Sequence, residues 1–401
     1  MSSTKNTKQS VQPKLRFPEF RDKGGWERQP LEKFLDYQQP TPYLVTDTNY
    51  SKNYGTPVLT AGKTFLLGYT NEQHGIFKDG LPVIIFDDFT TATQFVDFPF
   101  KAKSSAMKIL QAKNEASIKF MYEVLQMISY EVGAHERHWI SKFAPMLVPV
   151  PVEPAEQYRI TDCLSSLDAL IAAQAQKVEA LKAHKKGLMQ ELFPAEGETL
   201  PKLRFLEFKG KGEWEEKPLK AFLKESRILG SSGDIAKKIT VKLWGKGVFE
   251  KEDSLKGSPN TQYYRRKAGQ FIYSKLDFLN QAFGIVPDHL DGFESTVDLP
   301  CFEMNEGIIP IFLLEYVKRK EFYEILGETA DGSRKARRIH ADTFLSFSIF
   351  LPSTEEQQKI ADCLSSLDTL ITAQSHKLDA LRQYKKGLMQ QLFPTAHEVQ
   401  K

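Results

Sequence analysis

Two stretches of the chain carry one hydrophobic pattern. Positions Ile160, Leu164, Leu167, Ile171, Gln174, Val178, Leu181, Lys185, Leu188 and Leu192 are spaced alternately four and three. The pattern returns at Ile360, Leu364, Leu367, Ile371, Gln374, Leu378, Leu381, Lys385, Leu388 and Leu392. A narrow seam of that period predicts two long helices with coiled-coil packing. An ordinary amphipathic helix on a globular core would carry a broader apolar face. Ser353 and Glu356 have capping-box spacing before the second helix. Pro194 and Pro394 stop the two helices, because the residue before proline is pushed out of helical geometry. A helix of some 35 residues spans about 50 Å.

The pattern belongs to a longer repeat. Residues 156–194 and 356–394 match at 26 of 39 positions without a gap, and DCLSSLD and KKGLMQ are identical. A second pair lies ahead of each: KLRFPEF at 14–20 returns as KLRFLEF at 202–208. Trp26, Pro30, Leu31, Phe34 and Leu35 return as Trp214, Pro218, Leu219, Phe222 and Leu223. Between entry and exit, residues 36–152 and 224–352 diverge. Two long copies of this kind indicate duplication and pseudo-two-fold symmetry, not a solenoid of short repeats.

The divergent middles read as mostly β. Short apolar runs at 57–60, 82–86, 95–100 and 106–110 are punctuated by glycines, and a helix follows around 117–129. In the second middle, 239–243, 269–273 and 307–311 look like strands, with a helix around 311–326.

Composition narrows the class. At 401 residues with 41% apolar content, the chain is long enough for two or more domains with sizeable cores. A net charge of +3 does not by itself demand nucleic acid, so DNA binding must rest on local patches. The three cysteines have no CxxC spacing, which argues against a zinc finger or disulfide scaffold and fits the cytoplasm. The polar first ten residues read as a frayed tail. No apolar run approaches the ~18 residues of a membrane span.

Basic residues interleave with aromatics in the second middle. Lys237, Lys238, Lys242, Trp244 and Lys246 form one group, and Tyr263, Tyr264, Arg265, Arg266 and Lys267 another. The run GSRKARRIH at 332–340 concentrates Arg334, Lys335, Arg337 and Arg338, and its first-half counterpart at 133–142 carries Arg137, His138 and Lys142. Both stretches precede a phenylalanine eight residues before a proline. Such a run alone is a solvated surface as readily as a groove contact; two in equivalent places point to DNA. Lys63, Lys101, Lys103 and Lys275 complete the candidate DNA-binding set.

The helical repeats also agree at outward positions that packing does not require. These are Asp162, Ser166, Lys177, Lys186 and Gln190, returning as Asp362, Ser366, Lys377, Lys386 and Gln390. They are candidate contacts for one protein bound twice.

Enzyme motifs are weak. Gly62-Lys63-Thr64 lacks the glycine a phosphate loop needs five residues before Gly62, where Pro57 stands. No glycine-rich methyl-donor fingerprint occurs. Asp87 and Asp88 end an apolar run without the acid-x-Lys of a nuclease, and read as turn caps or acceptors for a base amino group. No catalytic residue and no metal ligand is assigned. A self-contained DNA enzyme and a coiled-coil adaptor without DNA binding remain the alternatives.

The repeated order of KLRFPEF, Trp-x3-Pro-Leu, a variable region, EQ-x2-I-x-D-x-L-x2-LD and KKGLMQ-x-LFP resembles the specificity subunits of type I restriction–modification enzymes. The resemblance covers most of the chain. It implies an α+β fold with two pseudo-symmetric mixed α/β target recognition domains, joined by two long helices as an antiparallel coiled-coil spacer. Residues 1–25 would be tail and entry, 26–152 the first recognition domain, 153–194 the first spacer helix, and 195–213 linker and repeated entry. The second domain would take 214–352, the second spacer helix 353–394, and a tail 395–401. The family's partners are double-stranded DNA, two modification subunits that bind S-adenosylmethionine and methylate adenine, and up to two restriction subunits that use ATP and Mg. None of these cofactors is expected on this chain. A longer linker at 195–201 would be expected to widen the gap between half-sites.

Overall fold

The computed structural model describes residues 11–62, 64–132, 137–252, 258–327 and 338–394. It is a mixed α/β fold that divides into two compact units: Met1–Gln174 with Lys377–Lys401, and Ala175–His376. The division cuts both long helices, Pro154–Glu191 and Thr354–Leu392.

In the first unit a four-stranded antiparallel sheet runs in the order Leu35–Gln38, Met107–Ala112, Val83–Asp87, Thr93–Val96. Its central strand is buried on both faces, which explains the unbroken apolar run VIIF. Ile84 and Phe86 face a core with Phe120, Trp26 and Phe143, while Val83 and Ile85 face a second core with Leu59, Phe77 and Phe100. A three-stranded sheet, Leu66–Thr70, Thr56–Leu59 and Lys101–Ala102, closes that second core. The helix Ile118–Met127 starts where expected, its Ser117 hydroxyl accepting from Phe120 N at 3.2 Å. Entry and exit meet as a ribbon of Trp26–Pro30 against Leu147–Pro151. The first core also takes Ile160 and Leu164 from the start of one long helix, and Leu392 and Phe393 from the end of the other. Phe393 stacks on Phe120 at 5.4 Å and meets Trp26 edge-on at 5.9 Å.

The second unit repeats these ends around a different middle. Its ribbon is Glu215–Pro218 against Ser348–Leu351. Its main sheet has the order Leu223–Ser226, Cys301–Met304, Phe271–Tyr273, Phe283–Ile285. Leu192, Phe193, Ile360 and Leu364 join Trp214 and Phe312 in its core. The hairpin Ile239–Lys242 with Gly247–Glu250 forms a two-stranded sheet of its own, whereas the hairpin Thr56–Leu59 with Leu66–Thr70 of the first unit belongs to a three-stranded sheet.

Repeated residues make repeated contacts. Arg16 pairs with Glu156 at 2.7 Å, and Arg204 with Glu356 at 2.8 Å. Gln157 accepts from Ser117 N, and Gln357 from Ile309 N. The lysines that interrupt the apolar seams are explained the same way. Lys385 meets Asp168 at 2.7 Å and buried Glu123 at 3.6 Å; Lys185 meets Asp368 at 2.7 Å and buried Glu315 at 3.0 Å. Every seam position in both helices is at least partly buried, and all ten outward matched positions are exposed.

Three readings change. Residues 307–311 are not a strand: Pro310 is the first residue of the helix Pro310–Val317, where proline's missing N–H costs nothing. The helix expected at 311–326 breaks in two, resuming as Lys320–Gly327. The capping box is half made: Ser353 Oγ accepts from Glu356 N at 3.4 Å, but the Glu356 carboxylate is held by Arg204.

Candidate nucleic-acid interface

Burial sorts the basic residues. Lys101 is 3% exposed, donates to the His74 carbonyl at 2.7 Å and pairs with Glu72 at 2.7 Å. Arg266 is 2% exposed, and its guanidinium binds Ser295 Oγ and the carbonyls of Ser226, Thr296 and Leu299. Burial pushes its pKa down, and the hydrogen bonds it makes among the described residues go to that hydroxyl and those carbonyls. His138 is fully buried beside Tyr130. These three brace loops from within and are corrected from DNA contacts to structural residues.

The exposed set is Lys103, Arg137 and Lys142 in the first unit, with Lys242, Lys246, Arg265, Lys267 and Arg338 in the second. Lys275 is half-buried. Arg338 stands 3.9 Å from Asp298, both about half exposed, so water competes for that pair. Lys63, Arg334, Lys335 and Arg337 lie outside the described residues.

The first basic stretch is anchored by a carboxylate. Asp88 Oδ1 accepts from Trp139 N at 2.8 Å, and its carbonyl accepts from His138 N at 2.9 Å. Asp88 Oδ2 lies 3.2 Å from Lys108 Nζ, both side chains buried. Asp88 thereby fixes the segment from which Arg137 and Lys142 project. Asp87 caps a turn, as its position suggested, accepting from Phe89 N at 2.8 Å and Thr90 N at 3.0 Å. Sequence reasoning overlooked Lys108, whose burial shows only once its strand is known to be central. It also overlooked Glu294, which is buried and accepts from Ser231 N and Oγ. Among the described residues, no group of three or more His, Cys, Asp or Glu is placed to hold a metal ion. None of the described helices is long and apolar enough to cross a membrane.

Glu72 gives a test of the structural role of Lys101. Burial alone would raise its carboxyl pKa, but bonds from Asp47 N, Lys101 Nζ, and Thr46 N and Oγ outweigh that and bring it to about 2. A folded-state pKa below the unfolded value stabilises the fold above the unfolded pKa, and that contribution is lost as pH falls through the folded one. Glu72→Gln should therefore lower the melting temperature at pH 6. The difference from wild type should shrink between about pH 4.5 and 2. A pH-independent difference would reject this account.

Comparisons with known proteins bear on what these surfaces serve. Residues 310–383 match the family described as the type I restriction modification DNA specificity domain. The chain is 32% identical over 367 residues to the EcoR124I/EcoR124II specificity subunit of Escherichia coli, covering 85% of this chain and 86% of that one. It is 24% identical over 278 residues to the putative MjaX specificity subunit of Methanocaldococcus jannaschii, covering 61% and 58%. The crystal structure of the type I restriction–modification S subunit from M. genitalium superposes with a TM-score of 0.62 at 16% identity, covering 96% of this chain and 99% of that one. A chain from a structure concerned with complex assembly and conformational transition of the type I system gives 0.51 at 13% identity, covering 92% and 97%. At these identities the structural likeness speaks for the fold alone.

Proposed function

The chain belongs to the specificity subunits of type I restriction enzymes, and on that footing we propose that it reads a bipartite, asymmetric DNA target and positions catalytic subunits there. One observation carries this reading: matching ends, held by the same ion pairs, enclose two different middles. The matching ends make a pseudo-two-fold frame, and the different middles read different half-sites. The pairings Lys385–Asp168 and Lys185–Asp368 support an antiparallel coiled coil as the spacer. The chain is the non-catalytic member of the complex. S-adenosylmethionine sits on the modification subunits, and ATP and Mg on restriction subunits, of which up to two join.

Mapping the methylated motif of the chain with its partners tests the reading. The motif should have two unlike halves with a gap, each half offering one adenine on opposite strands. Exchange of residues 36–152 for another recognition domain should alter one half only. A continuous or palindromic motif for the parent would sink the proposal, as would methyl transfer by the chain alone. The exposed matched positions Asp162/Asp362, Ser166/Ser366, Lys177/Lys377, Lys186/Lys386 and Gln190/Gln390 offer one surface twice. Native mass spectrometry should then find two modification subunits per chain; one at saturation would refute that surface.

A further inference from the structure

The hairpin Ile239–Lys242 with Gly247–Glu250 ends in an unusual turn. Ile239, Val241 and Val248 point into a core, while Lys242, Leu243, Trp244, Lys246 and Phe249 are exposed. Trp244 is 58% exposed, whereas Trp26, Trp139 and Trp214, the other three of the chain's four tryptophans, are almost wholly buried. Its backbone lies at φ +61°, in the left-handed region that favours glycine. The conformation is held from outside: Trp244 N donates to Asn280 O at 2.8 Å and Gly245 N to Gln281 O at 2.9 Å. Gln281 is itself left-handed, at φ +52°. Neither hydrophobic burial nor backbone preference explains a tryptophan here. Strain that the surroundings sustain, on an exposed large side chain, marks a part that acts on something else.

The chemistry around it selects the partner. From Ile239 through Phe249 the hairpin has no acidic residue, Glu250 coming only at the end of its second strand, and Lys242 and Lys246 stand two residues either side of Trp244 in the chain. Lys242 Nζ lies 4.1 Å from the Phe249 ring centroid, which restrains it on the exposed face of the hairpin behind the turn. A two-stranded ribbon is a shape a DNA groove admits. An apolar tip between two cations matches a base step between two phosphate backbones. Building on the DNA-reading role, we propose that Trp244 is a wedge: it enters a groove of the second half-site and stacks on a base, with Lys242 and Lys246 on the flanking phosphates.

Trp244→Gly removes the indole, keeps the backbone N–H and relieves the left-handed strain, so it should fold at least as well as wild type. Trp244→Phe removes the fluorophore but keeps a ring. Each is assembled with the modification subunits. The probes are a duplex carrying the motif that the wild-type complex methylates and a duplex with the second half-site scrambled. The wild-type-minus-Trp244→Phe emission should be quenched by the first duplex and little by the second. Trp244→Gly should bind the first duplex about 10- to 100-fold more weakly, with no fall in melting temperature. Unchanged affinity for Trp244→Gly, while the wild type still prefers its motif, overturns the wedge and leaves the DNA reading standing. Emission that changes on adding the modification subunit and then ignores DNA assigns Trp244 to a protein contact and also overturns it. A wild-type complex that prefers neither duplex removes the DNA reading itself.

Discussion

Glu156→Ala is expected to destabilise the first unit by about 3–5 kcal/mol, because it leaves a buried charge without its partner. Arg16 reaches Glu156 through Nε at 2.8 Å and a terminal nitrogen at 2.7 Å, and the Trp26 indole N–H donates to the same carboxylate at 3.2 Å. The Arg16 and Glu156 side chains are 6% and 1% exposed. Their hydrogen bond does most to raise the Arg16 pKa, and an arginine stays protonated in a protein even without that help, so the guanidinium left by the substitution keeps its charge. For a unit of this size the melting transition should fall by roughly 10 °C. The second copy offers an internal comparison. Arg204 pairs with Glu356 in the same way, but the Trp214 indole N–H has no partner among the described residues, and Arg204 is 11% exposed. Glu356→Ala should therefore cost less. Thermal unfolding of both variants checks this; a Glu156→Ala transition within about 2 °C of wild type would reject the account.

Adding one heptad to each long helix should abolish methylation of the parental motif and move it to one with a wider gap. The insertion duplicates residues 168–174 after Gln174 and 368–374 after Gln374, which keeps both seams in phase. Seven residues add about 10 Å, close to three base pairs at ~3.4 Å each. Both half-site sequences should persist. The rate should fall, because three base pairs also turn the second half-site by about 100° around the duplex, a twist the DNA must absorb. Motif mapping of the variant decides: retention of the parental gap would show that the helices do not set it. Insertion in the linker 195–201, first expected to widen the gap, should now leave it unchanged. Leu192 and Phe193 before the linker and Trp214 after it share a core, Leu203 N bonds to Glu191 O, and Arg319 holds the Pro194 carbonyl at 2.6 Å. Extra residues between pinned ends loop out.

The long helices were readable from the chain because a seam of period 3.5 is a local signal that tertiary context does not disturb. The Val83–Asp87 strand was readable for a similar reason, its unbroken apolar run. Residues 307–311 misled because GIIPI is apolar and short, and strand and buried helix look alike at that length; Pro310 as a helix-start signal was the overlooked clue. The basic candidates divide along another line. Charge is visible in sequence, but burial depends on partners far along the chain. Lys101 finds Glu72, and Arg266 finds carbonyls more than 25 residues away. Nothing adjacent to either lysine or arginine announces this. Trp244 stood in plain view among lysines, yet only its backbone angle and exposure distinguish it from a core tryptophan.

The division of the chain also bears on synthesis. Leu392 and Phe393 complete the core around Trp26 and Phe120, yet all of residues 175–376 are made in between, about 10–40 s of elongation at 5–20 residues per second. For that interval the nascent first domain presents an unfinished aromatic surface. The identical Leu-Phe-Pro at 192–194 has already left the ribosome by then, at the far end of a 38-residue helix. The wrong plug is thus made long before the right one, and the first domain has to leave its socket open until Leu392 and Phe393 arrive.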